Sequence, residues 1–309
     1  MDKLGDMDLF VRVIKQGGLA AAGREVGLSP ARMTARINNL EARYGVRLLN
    51  RTTRKVSLTD EGREFYKDCE RILTEVEQAE LSLQSGKECL SGPLRITCMS
   101  DLGRQHIAPV LSAFVKDNPE ITPYLHLSDG ITNLAEDGYD LGIRYGALAD
   151  STMIAKKLAS NRRVLCASPE YLNRRGTPQT PQDLLNHNCL AMVRISEPLT
   201  TWYFKNASGE SQTLLIQPKR ASNDGALIRQ WLLDGAGIGL KSELELIDDL
   251  KHKRLIKVLE KTMLDFDEKG ASGGADLHVI YPSRKYLPQR TRAFIDVLVD
   301  YFSNKTYSG

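Results

Sequence analysis

"LSPARMTARINNLEARYGVRLLNRTTRKVSLT", residues 28–59, holds seven Lys or Arg between Arg32 and Lys55 against a single acid, Glu41. Ser29 before Pro30 is a strong helix start: a capping hydroxyl, then a residue with no N–H to leave unsatisfied. Met33, Ile37, Leu40 and Tyr44 recur at four, three and four residues, which makes one apolar stripe. At 100° per residue, Ala31, Thr34, Ala35 and Asn38 fall on the opposite side, with Arg32 at its edge. A helix that must sink into a groove needs short side chains at its centre and cations at its flanks. An ordinary surface helix would carry long charged residues there instead. After this helix, residues 48–51 and 55–58 are short β-type runs around a Thr-Thr tip. They predict a hairpin with Arg51, Arg54 and Lys55 at its end.

Upstream, Leu9, Phe10, Val13 and Ile14 share a face of a helix expected over residues 7–15, and Gly17-Gly18 ends it. A second short helix in "LAAAGREVG" has small residues that allow close approach. The first 60 residues therefore form one small unit, within the size at which domains fold alone.

The charge is local to this unit. The chain carries a net charge of +3 over 309 residues. Residues 1–60 hold 11 basic and 6 acidic side chains, residues 61–91 hold 4 and 8, and the remainder hold 27 and 25. A positive field confined to the N-terminal end favours a phosphate-bearing partner there.

Thr59 caps a further helix, with Asp60 and Glu61 in its first turn, expected to run to about residue 86. Phe65, Ile72 and Ala79 take one heptad position, and Cys69, Val76 and Leu83 the other. That seam, bordered by acids, predicts dimerisation through this helix. "SGKECLSGP" reads as a hinge. From Leu94 strands and helices alternate: "LRITC", "PYLHL", "LGIRYG", "RVLCAS", "CLAMV", "TWYF", "TLLIQ", "AGIGL" and "LHVIYP" are strands, with helices near residues 103–116, 227–233 and 290–302. This is an α/β region, in which ligands sit outside the carboxyl ends of strands.

Residues 28–62 resemble the recognition helix, wing and linker start of the LysR-type transcriptional regulators in one unbroken block. "GPLRI", "LSDGITNLAEDGYDLGIRYG", "RRVLCASPEYLNRRGTP" and "DGAGIGL" are similar to that family's effector domain in order and spacing. The resemblance covers nearly the whole chain. It implies a winged helix-turn-helix at 1–59, a linker and dimerisation helix with its hinge at 60–91, and an effector domain at 92–309. The last has two α/β lobes like type 2 periplasmic binding proteins, lobe I at about 92–160 and 275–309 and lobe II at about 161–274. Expected partners are double-stranded promoter DNA, a small-molecule effector, a second copy of the chain assembling further into a tetramer, and RNA polymerase. No cofactor or metal is expected.

Ser29, Pro30, Ala31, Arg32, Thr34, Ala35 and Asn38 are the DNA-facing candidates on the helix; Arg36, at its flank, meets phosphate or an acid. Arg51, Thr53 and Arg54 are the wing candidates. The chain departs from the family pattern at Ala35, where an arginine is usual, at Gly18 and Gly23, and at Ser242, where a proline is common. The cleft candidates are Ser100, Asp101, Arg144, Tyr145, Ser196, Asn223 and Asp224, all at strand ends or helix starts. Asp101 is expected to cap its helix; Arg144 neutralises a carboxylate or pairs with Asp140.

Other classes leave weaker traces. The five histidines are scattered, with no HExxH, zinc-spaced cysteines or nucleophile elbow, so an enzyme is not expected. "DGAGIG" follows a helix rather than joining a strand to one. A solute-binding protein would carry a secretory leader, and "MDKLGDMDLF" lacks the order of one. No apolar run reaches the ~20 residues of a membrane span. Five cysteines without CxxC spacing suit a reducing cytoplasm. A thiol-sensing variant of the same fold would use Cys166 with Cys189, or Cys69 across the dimer seam.

Overall fold

The computed structural model describes the chain apart from residues 1, 52–55, 86–89, 131–132, 135, 147–152, 195–196, 207, 266–274, 284–286 and 305–309, and apart from some side chains, chiefly late in the linker helix. The chain divides into two units, Met1–Gly92 and Pro93–Gly309.

The first unit opens with helices α1 (Lys3–Lys15), α2 (Leu19–Glu25) and α3 (Pro30–Tyr44). The Ser29 hydroxyl accepts the Arg32 N–H at 3.3 Å, and Gly45 ends α3 at φ 68°, a backbone conformation that glycine adopts without strain. The α2–α3 turn explains Gly23: a Cβ there would lie 2.6 Å from the Leu28 carbonyl oxygen, so alanine would force the two helices apart. Met33, Ile37 and Leu40 are buried against Leu9, Phe10 and Val13. Each such side chain contributes about 1.5–3 kcal/mol by leaving water. Strands β1 (Leu49–Arg51) and β2 (Val56–Leu58) pair antiparallel as a hairpin. Glu41, the lone acid of the basic stretch, accepts the Leu48 and Leu49 N–H groups at 2.8 and 3.0 Å, so it joins α3 to the base of the hairpin.

Helix α4 (Asp60–Ser85) is capped by the Thr59 hydroxyl, which accepts the Gly62 N–H at 2.9 Å. Its early turns correct the expected dimer seam. Cys69 is fully buried in the core of its own unit, and Phe65 packs on Phe10 and Tyr44 with ring centroids 5.5 and 5.6 Å apart. Cys69 is thus consumed by its own unit, and Phe65 is covered in part by α1 and α3. Ile72 and Val76 are half-buried, and the side chains of Ala79 and Leu83 lie outside the described residues.

The second unit runs β3 (Gly92–Cys98), α5 (Ser100–Leu102), a π-turn at Gly103–Ile107, α6 (Ala108–Asp117), β4 (Ile121–Leu127), β5 (Leu141–Tyr145) and β6 (Met153–Ala159). It continues with β7 (Arg163–Ala167), α7 (Pro169–Arg175), β8 (Cys189–Arg194), β9 (Glu197–Pro198), β10 (Thr201–Lys205), β11 (Ser211–Leu215), β12 (Pro218–Ser222), α8 (Gly225–Leu233) and β13 (Ile238–Ser242). It ends with α9 (Ile247–Lys251), β14 (Ile256–Val258), β15 (Met263–Asp265), β16 (Leu277–Pro282) and α10 (Gln289–Asn304). One sheet has the order β4-β3-β5-β16-β6; a second has β12-β8-β13-β7-β14. A smaller sheet, β11-β10-β15, carries Trp202 and Phe204 into the core of the second lobe. The chain leaves the first sheet after β6 and returns to it at β16.

Asn161 sits at the outgoing crossing and ties the two connections together. Its N–H reaches Asp276 Oδ1 at 3.1 Å, its amide donates to the Ala275 carbonyl at 2.8 Å, and its Oδ1 accepts from the Ser242 hydroxyl and the Leu244 N–H.

Candidate DNA-facing helix and effector cleft

On α3, Ser29, Pro30, Ala31, Arg32, Ala35 and Asn38 are exposed. Thr34 is half-buried and its hydroxyl donates to the Pro30 carbonyl at 2.9 Å, which leaves its methyl and an acceptor lone pair for contact. The Arg32 guanidinium makes no hydrogen bond or ion pair among the described residues. Arg36 meets the acid rather than standing free: its guanidinium lies 2.5 Å from Asp6, a buried carboxylate that also takes Arg43 at 3.0 Å. Of the wing candidates, Arg51 is placed only by its backbone, opposite Val56 in the hairpin. Thr53 and Arg54 lie outside the described residues. The N-terminal half of α3 is thus a face of short side chains with one available arginine, at the positive end of a helix dipole.

In the second unit the strand ends converge on a cavity of about 50 Å³ at the junction of the two large sheets, lined by Tyr145, Asp129, Lys241 and Glu245 among others. Lys241 lies in β13, where every residue is buried. Its ammonium contacts Glu245 at 2.5 Å and Asp101 at 2.9 Å and donates to the Gly225 carbonyl at 2.9 Å. Burial opposes the Lys241 charge, but Glu245 and Asp101 outweigh it and leave the ammonium's pKa above its ordinary value. Burial pushes the Glu245 carboxyl up, and Lys241 pulls against that.

Asp101 therefore does not cap its helix, contrary to the expectation from the sequence. It is buried, with one oxygen beside Lys241 and the other accepting from Gln105 at 2.7 Å. A cation inside β13 competes successfully for the carboxylate, since an unpaired buried ammonium is far costlier than an uncapped N–H.

The helix starts are satisfied by other acids. Asp129 Oδ1 accepts the Ser100 N–H at 2.7 Å, and its Oδ2 accepts the Gly225 N–H at 2.6 Å. Asp224 caps α8 through the Ala226 and Leu227 N–H groups. Tyr145 faces the cavity with its hydroxyl enclosed beside Ser242 and without a well-formed hydrogen bond; burial holds the phenol well above its usual pKa. Arg144 donates to Thr97 at 2.8 Å and to the Ile143 carbonyl. Asn223 is exposed beyond the cap, and Ser196 lies outside the described residues.

Asp129, Lys241 and Glu245 escaped sequence reasoning. A lysine inside the apolar run "GIGLKS" was the available signal, because a buried ammonium demands carboxylates nearby. Asp129, in "LSDG", has the composition of an ordinary turn.

The Cys166–Cys189 disulfide that a thiol-sensing variant would use is not possible in this sheet. Both residues pair with β13, from opposite sides, at Gly239 and Ile238. Two strand spacings put their Cα atoms roughly 9–10 Å apart, beyond the ~7 Å limit for a bridge. Burial pushes both thiols up to about 12, and Cys69 likewise to about 12 inside its own core. No helix among the described residues is long and apolar enough to cross a membrane.

Residues 4–63 match the family model described as a bacterial regulatory helix-turn-helix protein of the lysR family, and residues 87–303 match the LysR substrate binding domain. The chain belongs to the LysR family of transcriptional regulators. Like other LysR-type regulators it joins a DNA-binding helix-turn-helix to an effector-binding domain. It is 34% identical to the HTH-type transcriptional regulator DmlR of Escherichia coli over 97% of this chain and 94% of that one. The solved structure of CrgA, a LysR-type regulator of Neisseria meningitidis, is 31% identical, with a TM-score of 0.62 over 97% of this chain and 99% of CrgA. Full-length AphB, a Vibrio cholerae virulence activator, aligns at 29% identity and a TM-score of 0.59 over 97% and 99% of the two chains.

Proposed function

We propose that α3 enters the major groove of promoter DNA and that occupancy of the cavity beside Asp129 and Tyr145 controls how the protein holds that DNA. The observation that carries this reading is the face of α3: exposed, built of short side chains, with Arg32 available. Arg32 reaches guanine, Ala31, Ala35 and the Thr34 methyl touch base edges, and Asn38 extends the face. Ser29 and Pro30 approach the backbone, and Arg51, Thr53 and Arg54 bind phosphate from the wing. Phosphate contacts supply affinity and register; base contacts supply sequence choice.

Residues 1–59 act as the DNA module, 60–91 as the linker and 92–309 as the sensor. Two copies join through the later turns of α4 around Ile72 and Val76, and pairs of dimers form the tetramer that spans a dyad-symmetric promoter. RNA polymerase is the downstream partner, in the cytoplasm.

The test is footprinting of the full chain on its own upstream region, across salt and with a panel of small acids and sugars. Six phosphate contacts per dimer give a log–log salt slope of about −5. A folded sample with no salt-sensitive binding to any double-stranded promoter fragment would overturn the reading.

A further inference from the structure

We infer that helix α10 couples the wall of the cavity to the residue at which the linker enters the sensor, with His106 as its attachment at one end and Arg290 at the other. The inference deepens the reading above: it rests on the cavity being the effector site, and it names the route by which a change there reaches the linker.

At the cavity end, Ser242 and Glu245 line the cavity, and Leu244 between them is buried. These residues follow β13 of the second large sheet, and the short turn Glu243–Glu245 closes the segment. The π-turn that follows β3 of the first large sheet holds this turn by its backbone. Gln105 donates to the Glu245 carbonyl at 3.0 Å, and His106 Nε2 lies 3.1 Å from the Leu244 carbonyl. Adjacent side chains of an α-helix point 100° apart, yet here two neighbours reach neighbouring carbonyls from a π-turn, a distortion that recurs at functional sites. The other ring nitrogen of His106 meets the Tyr301 hydroxyl of α10 at 3.1 Å. A carbonyl only accepts, so Nε2 carries a proton, and in the neutral ring Nδ1 accepts from Tyr301. The ring is buried and also packs on Phe302, with centroids 6.1 Å apart. A shift of the turn must therefore carry α10 with it or leave a buried polar group unpaired.

At the other end, eleven residues and about 16 Å back along the helix, Arg290 is buried and its Nε donates to the Pro93 carbonyl at 2.7 Å. Pro93 is the first residue of the sensor unit. A guanidinium is a permanent donor of fixed geometry, which suits it to hold a backbone position firmly. Between the two ends α10 is seated along one face. Phe294 lies on Phe114 of α6 with centroids 5.1 Å apart, and Ile295 and Leu298 are buried. A helix packed in this way slides as a body instead of absorbing the shift locally.

The experiment is amide hydrogen exchange of the full-length protein, read at residues 90–96 and 242–246. Coupling is reciprocal, so each end must respond to a cut at the other. Tyr301→Phe removes only a hydroxyl at the cavity end and is expected to lower protection at 90–96 by about three-fold or more. Arg290→Met cuts the linker end and is expected to lower protection at 242–246 to a similar degree, while Arg290→Lys, which keeps a donor, restores most of it. Loss confined to each variant's own end, or equal loss everywhere with residues 189–194 as the reference, would overturn the inference. If Arg290→Met does not fold, Tyr301→Phe decides alone by the same criterion. Exchange reads the coupling in the free protein, while footprinting reads control of DNA binding, so either reading can fail without the other.

Discussion

Lys241 carries its charge inside a fully buried strand because two carboxylates meet it there. Replacing it with methionine removes the ammonium between the two acids and leaves Asp101 and Glu245 facing each other. The expected cost is about 3–5 kcal/mol in denaturant unfolding, partly recovered when Asp101→Asn and Glu245→Gln are added. On α3 the two arginines four residues apart have opposite assignments. The Arg32 guanidinium has no partner among the described residues, whereas that of Arg36 is held by Asp6. Arg32→Ala should change which base is preferred, at about 1–3 kcal/mol of discrimination in competition binding. Arg36→Ala should leave base preference unchanged and lower stability instead. A base-preference change in the Arg36 variant alone would reverse these roles.

Helix α4 shows what periodicity does and does not reveal. Phe65, Cys69, Ile72 and Val76 fall on one stripe, and the spacing is correct for a helix. What spacing does not contain is the identity of the covering surface, and the first two turns are covered by the unit's own Phe10 and Tyr44. Phe65→Ala should therefore destabilise the N-terminal unit by roughly 2 kcal/mol, given its partial burial, without first dissociating the protein. Val76→Glu should do the opposite, shifting sedimentation toward monomer with little change in unit stability. The elements of the basic stretch were legible because cap, proline and apolar stripe all agree at α3. Strands β6 and β12 were not. They lie at sheet edges and read "MIAKKLA" and "PKRAS", and charges that keep an edge from pairing with other chains also erase the apolar signature of a strand. Of the cleft candidates, Tyr145 lines the cavity at a strand end and Ser100 touches it only through Asp129, whereas Asp129 and Lys241 come to one wall through the folding together of segments more than a hundred residues apart.

At the scale of the whole sensor unit, the crossings between sheets are held by ion pairs that acid will release. Burial acts against the Asp276 charge, yet Lys157 and the Asn161 N–H outweigh it and hold the carboxyl below its usual range. Burial likewise acts against Glu243, and Arg162 and Lys257 outweigh it. A depressed carboxylate pKa contributes stability that is fully present above the unfolded value, about pH 4, and is lost as pH falls through the folded one. Protection factors in residues 275–282, corrected for intrinsic exchange, should therefore fall as pH drops below about 4, before the lobe cores open, and Asp276→Asn should flatten that dependence. The Asp129 carboxylate spans the same two lobes, accepting from Ser100 on one side and Gly225 on the other. A hinge motion that parts the lobes must therefore break one of those two hydrogen bonds, and Asp129→Ala should make that motion easier.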